Sequence, residues 1–336
     1  MNRVRVGING FGRIGKMFFR MLVHHPEIEL VGINDLMDDE MLIYLLKYDT
    51  VHGKFSREVR VEDGKLHING SKVHISHHAN PSQIPWREWG ADVVVDSSGM
   101  FTTRESLQQH ITSGAKRVIL SCPPSDELDL TVVIGVNEHK LLPEHQIISN
   151  ASCTANCIAP ILSILNRELG IESAFLNTVH PYTNNQRIID SPHADFRRSR
   201  ASADNIIPTS TSAIGALHSI MPELTSRFNG ISTRVPVACG ALSELVLTFN
   251  QAVTASSINA LVKGYAQEDL KGIVEYTTDP IVSSDVLGNT HSCVFDSLAT
   301  KVVNGNTAQI ILWYDNEIGY SNRLVDLVLI MAKQMA

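Results

Sequence analysis

The chain has 336 residues, 43% of them apolar and 19% charged, and its 28 lysines and arginines against 35 aspartates and glutamates give a net charge of −7. That balance excludes a disordered, collagen-like or disulfide-stapled chain, and it offers no long-range attraction to nucleic acid or an anionic membrane. At roughly 150 residues per domain, the length predicts two domains, each able to bury its own core. No apolar run approaches the roughly 20 residues of a membrane span, and the N-terminus runs straight into a strand pattern, which predicts a cytosolic protein. Cys122, Cys153, Cys157, Cys239 and Cys293 form no CxxC pair, so neither a disulfide framework nor a zinc ribbon is expected and no metal site is predicted.

In chain order, short β-rich runs alternate with helical patterns up to about residue 150: VRVGIN, the helical IGKMFFRMLVHH, IELVGIND, ADVVVDSS, KRVILS, LTVVIGV and HQIISN. Such alternation predicts an α/β domain over residues 1–150, a doubly wound parallel sheet with helices on both faces. Beyond it, a helix from about Cys153 to Leu169 is followed by the longer strands AFLNTVHPY, ISTRVPVAC, SELVLTFNQ and TAQIILWYD. Long strands with few crossover helices predict a second, α+β domain over residues 151–316 with a mixed or antiparallel sheet. Leu324, Val325, Leu327, Val328 and Met331 recur at near-helical spacing, which predicts an amphipathic terminal helix.

The first strand runs into Gly10-Phe11-Gly12-Arg13-Ile14-Gly15 and an apolar helix follows. Gly10 permits a tight turn, Gly12 lets backbone approach a pyrophosphate and Gly15 lets helix and strand pack, with the helix N-terminus facing the phosphates. The second strand run ends in Asp35, twenty residues after Gly15, where a carboxylate meets the adenosine ribose hydroxyls. A plain strand-to-helix turn and a solvated strand end would not require that spacing. The same carboxylate repels the extra phosphate of NADP, so the expected cofactor is NAD.

In SNASCTANCIAPILSIL, the cap-forming Ser149, Asn150 and Ser152 precede a helix whose first turn holds Cys153. There the helix dipole and free N–H groups favour thiolate, and the same N–H groups can hold an oxyanion after attack on a carbonyl. Cys157, one turn on, is read as a small buried residue, and Cys122, Cys239 and Cys293 likewise. A thiolate needs a basic partner. Among the fourteen histidines the pattern favours His180, which ends the strand AFLNTVH and is expected to project from a sheet edge into a cleft.

Taken together and in order, INGFGRIG, LLKYDTVHGKF, SNASCTANC, HPYTNNQ, RRSRASADNIIPTST, STRVPV and WYDNEIGYSNR resemble the glyceraldehyde-3-phosphate dehydrogenase family, essentially from end to end. The resemblance implies a Rossmann domain, a catalytic domain, a terminal helix 317–336 returning to the first, and a homotetramer. It implies Cys153 as nucleophile and His180 as its base, and it extends the NAD contacts to Ser98, Ser121, Asn316 and Tyr320. Thr183 and Arg234 resemble groups that hold the substrate phosphate, while Ser152, Thr154, Thr211 and Ser212 resemble those around an attacking inorganic phosphate. The arginine-rich loop 187–200 resembles one lying between a subunit and its neighbour's cofactor, which replaces any nucleic-acid reading.

Where the family usually has SCTTNC this chain has Ala155, and where it has TSTGAAK this chain has Thr211-Ser212-Ala213-Ile214-Gly215; Pro181, Asn185, Ser191 and Ile318 are further departures. Losing a hydroxyl and a lysine predicts weaker affinity for inorganic phosphate, and Ser191 predicts some tolerance of NADP. The implied activity is phosphorylating, NAD-dependent oxidation of glyceraldehyde 3-phosphate through a thiohemiacetal and thioester on Cys153. Two alternatives stand beside it: oxidation of erythrose 4-phosphate with water resolving the thioester, and a non-catalytic NAD-binding protein.

Overall fold

The run Val4–Asn9 (β1) is buried at every position but Arg5, as a strand covered on both faces must be. It lies inside a sheet whose other strands are Ile28–Asn34 (β2), Val59–Glu62 (β3), Lys65–Ile68 (β4), Ser71–Ser76 (β5), Val93–Asp96 (β6), Arg117–Leu120 (β7), Leu130–Thr131 (β8) and Ile147–Ser149 (β9). In this computed structural model, which describes residues 3–68 and 70–335, the strand order is β3-β4-β5-β2-β1-β6-β7-β9-β8. From β5 to β8 every pairing is parallel, while β3, β4 and β5 are antiparallel. Helices Arg13–Leu22 (α1), Asp39–Lys47 (α2), Trp86–Trp89 (α3) and Arg104–Thr112 (α4) fall between the strands. Because β2 lies on one side of β1 and β6 on the other, the order reverses there, and such a reversal opens a crevice at the carboxyl ends of the strands.

This sheet belongs to the first of two compact units, which runs to Val132, resumes over Asn137–Ala151 and takes the chain from Ser321 onward. The second unit comprises Val133–Val136 and Ser152–Tyr320. Its helices are Cys153–Leu169 (α5), Ala213–Ile220 (α6) and Ala255–Gln267 (α7). Its strands are Ile171–Pro181 (β10), Ile207–Thr209 (β11), Phe228–Val235 (β12), Ala241–Phe249 (β13), Val274–Thr277 (β14), Cys293–Val303 (β15) and Thr307–Tyr314 (β16), in the order β11-β12-β10-β13-β16-β15-β14. The sheet is mixed: β10 with β12 and β14 with β15 are parallel, and the other pairs are antiparallel. α5 covers one face, touching β10, β13, β15 and β16. The opposite face leaves Phe175, Ile231 and Val246 exposed.

The terminal helix runs Ile318–Lys333 (α8), within the expected 317–336, whose final residue Ala336 lies outside the described residues. In the first unit, Arg117 on β7 donates to the carbonyls of Met331 at 3.3 Å and Pro143 at 2.7 Å, and Gln334 donates to the Leu141 carbonyl at 2.8 Å.

Two local expectations change. The run LTVVIGV is a strand only over Leu130–Thr131, because Val133–Val136 pass to the second unit, where Gly135 at φ +86° sits so close to Leu270 that an added Cβ would lie 2.9 Å from its Cδ2. And β10, which carries His180, is not an edge: β12 and β13 flank it, so the imidazole stands near the end of an interior strand.

Candidate active site

Just before α5 the backbone turns through Ala151, fully buried at φ +53°, a left-handed conformation that non-glycine residues adopt only when their surroundings impose it. Ser152 then caps the helix, its hydroxyl accepting the Ala155 N–H at 3.1 Å. Cys153 opens the first turn, half-buried, with Sγ 3.5 Å from His180 Nε2. The parallel register of β10 and β12 places Arg234 beside His180. Arg234 Nη1 lies 2.5 Å from His180 Nδ1 and 3.1 Å from the Pro181 carbonyl. A guanidinium can only donate, so Nδ1 accepts here and the ring hydrogen falls on Nε2, toward the sulfur. The Arg234 Nε atom is buried and has no partner among the described residues, which leaves one donor of this cation for an anionic ligand.

The electrostatics of the pair follow from burial. Burial pushes the Cys153 thiol up, and Arg234, the Thr154 hydroxyl and the N–H groups of Thr154 and Cys153 oppose it. The donors expected of a helix N-terminus are therefore present at the sulfur, but desolvation outweighs them. Burial and then Arg234 press the His180 imidazole down to about 3, while the Pro181 carbonyl and Glu317 act the other way. Both groups are neutral at rest on these shifts, and charge separates when the thiol proton is lost. Cys157 is fully buried and pushed well above an ordinary thiol by burial and by Cys293. Burial pushes Cys122 up to about 11, and burial with Asp315 raises Cys239 further.

Of the other predicted residues, Thr154 lies at the thiol with its hydroxyl 2.9 Å from the Tyr314 hydroxyl, which also meets Thr178 at 2.9 Å. Thr183 is exposed, its N–H donating to Gln186 at 3.2 Å. Thr211 accepts the Ala213 N–H at 3.3 Å and Ser212 is the N-cap of α6, which packs on α5. Asn316 accepts the Gly240 N–H at 3.1 Å and Tyr320 is buried. Their neighbour Asp315 starts α8 by accepting the N–H groups of Glu317 and Ile318, each at 2.8 Å. Ala155, where the family usually has a hydroxyl, is fully buried in the first turns of α5.

In the first unit, Gly10 at φ +87° makes the turn, and an added Cβ would lie 2.4 Å from Ser98 N. A Cβ at Gly15 would lie 2.1 Å from the Gly10 carbonyl, whereas one at Gly12 would meet nothing within 4 Å. Gly12 is also the N-cap of α1 and brings no side-chain acceptor, and no acid stands in the first turn. Open space over a helix start without a side-chain cap fits a diphosphate. Asp35 accepts the Phe11 N–H at 2.5 Å and the Met37 N–H at 2.9 Å, which fixes its carboxylate at the turn. The Phe11 ring itself is core, edge-on to Phe19 at 5.6 Å, and Ile14 is half-buried. Arg13 pairs with Asp49, whose carboxyl is held down at about 2 by Arg13 and backbone N–H groups against the opposing effect of burial. Ser98 donates its hydroxyl to Asp96 at 2.7 Å and Ser121 its N–H to the Asp96 carbonyl at 2.9 Å.

Sequence reasoning missed Tyr314, Thr178 and Glu317 around the thiol pair. Tyr314 and Glu317 were inside a recognised motif, so attention to its buried polar positions would have found them.

These two sites belong to one known kind of protein. Residues 4–104 match the family model described as glyceraldehyde 3-phosphate dehydrogenase, NAD binding domain, and residues 152–316 the one described as its C-terminal domain. The chain is 48% identical to glyceraldehyde-3-phosphate dehydrogenase 1 of Bacillus subtilis over 98% of its own length and 99% of that protein's. It is 49% identical to the glyceraldehyde-3-phosphate dehydrogenase of Priestia megaterium, over 96% and 97% of the two chains, and 46% identical to that of Geobacillus stearothermophilus, over 98% and 99%. The chain belongs to the glyceraldehyde-3-phosphate dehydrogenase family, whose members are NAD-dependent oxidoreductases.

One equivalent of iodoacetamide per subunit should alkylate Cys153 ahead of the other four cysteines and abolish turnover, because Cys157, Cys239 and Cys293 are buried, and Cys153, unlike the half-buried Cys122, sits at a helix N-terminus with an imidazole 3.5 Å from its sulfur. Peptide mapping that finds the label mainly on Cys122 or Cys239 would overturn the assignment.

Proposed function

We propose that this chain oxidises glyceraldehyde 3-phosphate to an acyl phosphate with NAD and inorganic phosphate, using Cys153 as nucleophile and His180 as its base. The observation that carries the reading is the 3.5 Å approach of Cys153 Sγ to His180 Nε2 at a helix N-terminus, with the half-buried Arg234 beside them. Membership of the family favours this substrate over the erythrose 4-phosphate and non-catalytic alternatives.

Gly10–Gly15, Asp35, Ser98 and Ser121 would hold the adenosine and diphosphate of NAD, and Asn316 and Tyr320 the nicotinamide end. When bound, the cofactor supplies the hydride acceptor. Arg234, aided by Thr183, takes the substrate phosphate, for which its unpartnered Nε is available. Once the guanidinium turns to that phosphate, Nδ1 of His180 is free to donate to the Pro181 carbonyl, which lies 2.9 Å away, and Nε2 becomes the acceptor facing Cys153. Sγ attacks the aldehyde carbon as His180 Nε2 takes the thiol proton, the N–H groups of the first turn of α5 stabilise the oxyanion, and the imidazolium then returns that proton to the oxyanion to give the thiohemiacetal hydroxyl. His180 removes the thiohemiacetal hydroxyl proton as that carbon is oxidised, leaving a thioester on Cys153. Phosphate, held by Ser152, Thr154, Thr211 and Ser212, attacks the thioester, and the acyl phosphate departs as the thiol is restored.

A homotetramer is the proposed assembly, and it is supported by the loop 187–200, where Ile188 is 80% and Phe196 89% exposed, too much apolar surface for a strand of water-facing loop. No described helix is long and apolar enough to cross a membrane. The proposed location is the cytoplasm.

An orthophosphate titration at saturating glyceraldehyde 3-phosphate and NAD should give a strong rise in steady turnover with acyl phosphate as product. With no lysine following Ser212, half-saturation should need about tenfold more phosphate than in relatives that carry one, the equivalent of about 1.4 kcal/mol. Turnover unchanged without phosphate, with free acid formed and erythrose 4-phosphate the better substrate, would instead establish the hydrolytic alternative.

Asp35 leads to a second expectation: NAD should exceed NADP by at least about tenfold in kcat/KM, and Asp35→Gly should narrow that gap. Steady-state kinetics showing equal use of the two cofactors by the wild type would contradict the role given to the carboxylate and point to Ser191 instead.

A further inference from the structure

Asp96, the last residue of β6, is fully buried, and its carboxylate is saturated with donors. Oδ2 accepts from Asn9 Nδ2 at 2.7 Å and lies 2.9 Å from His110 Nε2; Oδ1 accepts from the N–H and the hydroxyl of Ser98 at 3.0 and 2.7 Å. His110, on α4, is also fully buried, and its Nδ1 receives the indole N–H of Trp86 at 2.9 Å. An indole can only donate, so Nδ1 accepts and the hydrogen of His110 sits on Nε2, directed at Asp96. Trp86 is in turn held on α3 against β1, where an added Cβ at Gly7 would lie 2.4 Å from its ring. On the other side, Asn34 donates to Asn9 Oδ1 at 2.8 Å and receives the Ser76 hydroxyl at 2.8 Å. A chain of donors thus crosses the carboxyl ends of β5, β2, β1 and β6 and ends at Trp86.

Such a network is costly where nothing uses it. Four donors are committed to this one buried carboxylate, and an apolar side chain of similar size would need none of them. What the charge accomplishes lies on its Oδ1 side. It fixes both the backbone and the hydroxyl of Ser98, and Ser98 N is the atom against which Gly10 packs. Ser97 closes the same contact, its N–H donating to the Asn9 carbonyl and its hydroxyl to the Gly10 carbonyl, each at 2.7 Å.

We propose that His110, backed by Trp86, is a positioning residue for the cofactor: through Asp96 it sets the Ser98 loop against the Gly10 turn, so that the dinucleotide surface is already formed before NAD arrives. The proposal rests on the reading of that turn and Ser98 as NAD contacts. His110 touches no ligand; it acts through Asp96, as partners behind a ligating group do.

Calorimetric titration of the full-length protein with NAD, alongside steady-state kinetics and thermal melts, tests it with His110→Phe, His110→Gln, Ser98→Ala and the double variant. His110→Phe fills a similar volume and removes both hydrogen bonds, and it should raise the NAD Kd about tenfold, with the loss falling on KM for NAD rather than on kcat. Gln carries a donor for Asp96 and an acceptor for Trp86, so His110→Gln should recover most of the affinity. Because His110 works through Ser98, the double variant should bind NAD no more than about twofold weaker than the weaker single variant.

An NAD Kd for His110→Phe within twofold of wild type, equal losses in Phe and Gln variants, or additive losses in the double variant would each overturn the proposal. A purely structural role would lower melting temperatures without that pattern in Kd. If His110→Phe does not fold, Trp86→Phe decides: it removes only the indole donor, an about threefold weaker Kd supports the relay, and an unchanged Kd ends it. Failure of the wild type itself to bind NAD would refute the functional reading, a result separate from all of these.

Discussion

A thiol and an imidazole 3.5 Å apart inside a protein have both lost water, and the second unit is arranged to replace it selectively. At the sulfur the replacement is a set of donors: the first N–H groups of α5, the Thr154 hydroxyl and the Arg234 cation. At the imidazole it is the Pro181 carbonyl on one nitrogen and the sulfur on the other, with Arg234 competing for the former. Each of these groups depends on something further out. The cap at Ser152 starts the helix, the register of β10 with β12 brings Arg234 alongside, and the Tyr314 hydroxyl ties Thr154 to Thr178. Dry surroundings make the neutral pair the stable one and make any charge that forms strongly felt, which suits a site where an oxyanion and a thiolate appear only during turnover.

The first unit solves a different problem with the same means. Its strands end together at the crevice where the order reverses, and side chains rooted in those ends settle the shape of the glycine turn before any ligand is present. Asp35 takes the Phe11 N–H, the Asn34 carbonyl takes the Gly10 N–H and the Ser97 hydroxyl donates to the Gly10 carbonyl, so that the backbone of the turn is held from three sides. Holding it so removes part of the ordering cost that a flexible loop would charge against binding.

Much of this was legible in the amino-acid order where the signal is local. The glycine turn with Asp35 and the cap before Cys153 each depend on residues within about a helical turn or one βαβ unit, and the α5 bounds follow from Ser152 and Gly170. What was not legible depends on which strands become neighbours. The interior place of β10 is of that kind, because its neighbours β12 and β13 come from distant sequence. The same holds for Arg234 facing His180 across 54 positions, and for Tyr314 reaching Thr154 across 160. β15 is hard to read from sequence because Asp296 and Ser297 interrupt its apolar run; in the fold the Asp296 side chain accepts the Trp313 indole N–H at 3.1 Å and the Leu298 N–H at 3.1 Å, where the register with β16 shifts. The family resemblance supplied roles for Asn316 and Arg234 that pattern alone did not.

The pairing of Cys153 with His180 is tested most directly by the pre-steady-state burst of NADH formed from glyceraldehyde 3-phosphate by wild type and His180→Gln at saturating NAD. With His180 as the base for Cys153, the burst rate should fall by about 10² to 10⁴ in the variant while NAD binds with unchanged affinity. A variant burst rate within a few-fold of wild type would contradict the role assigned to His180.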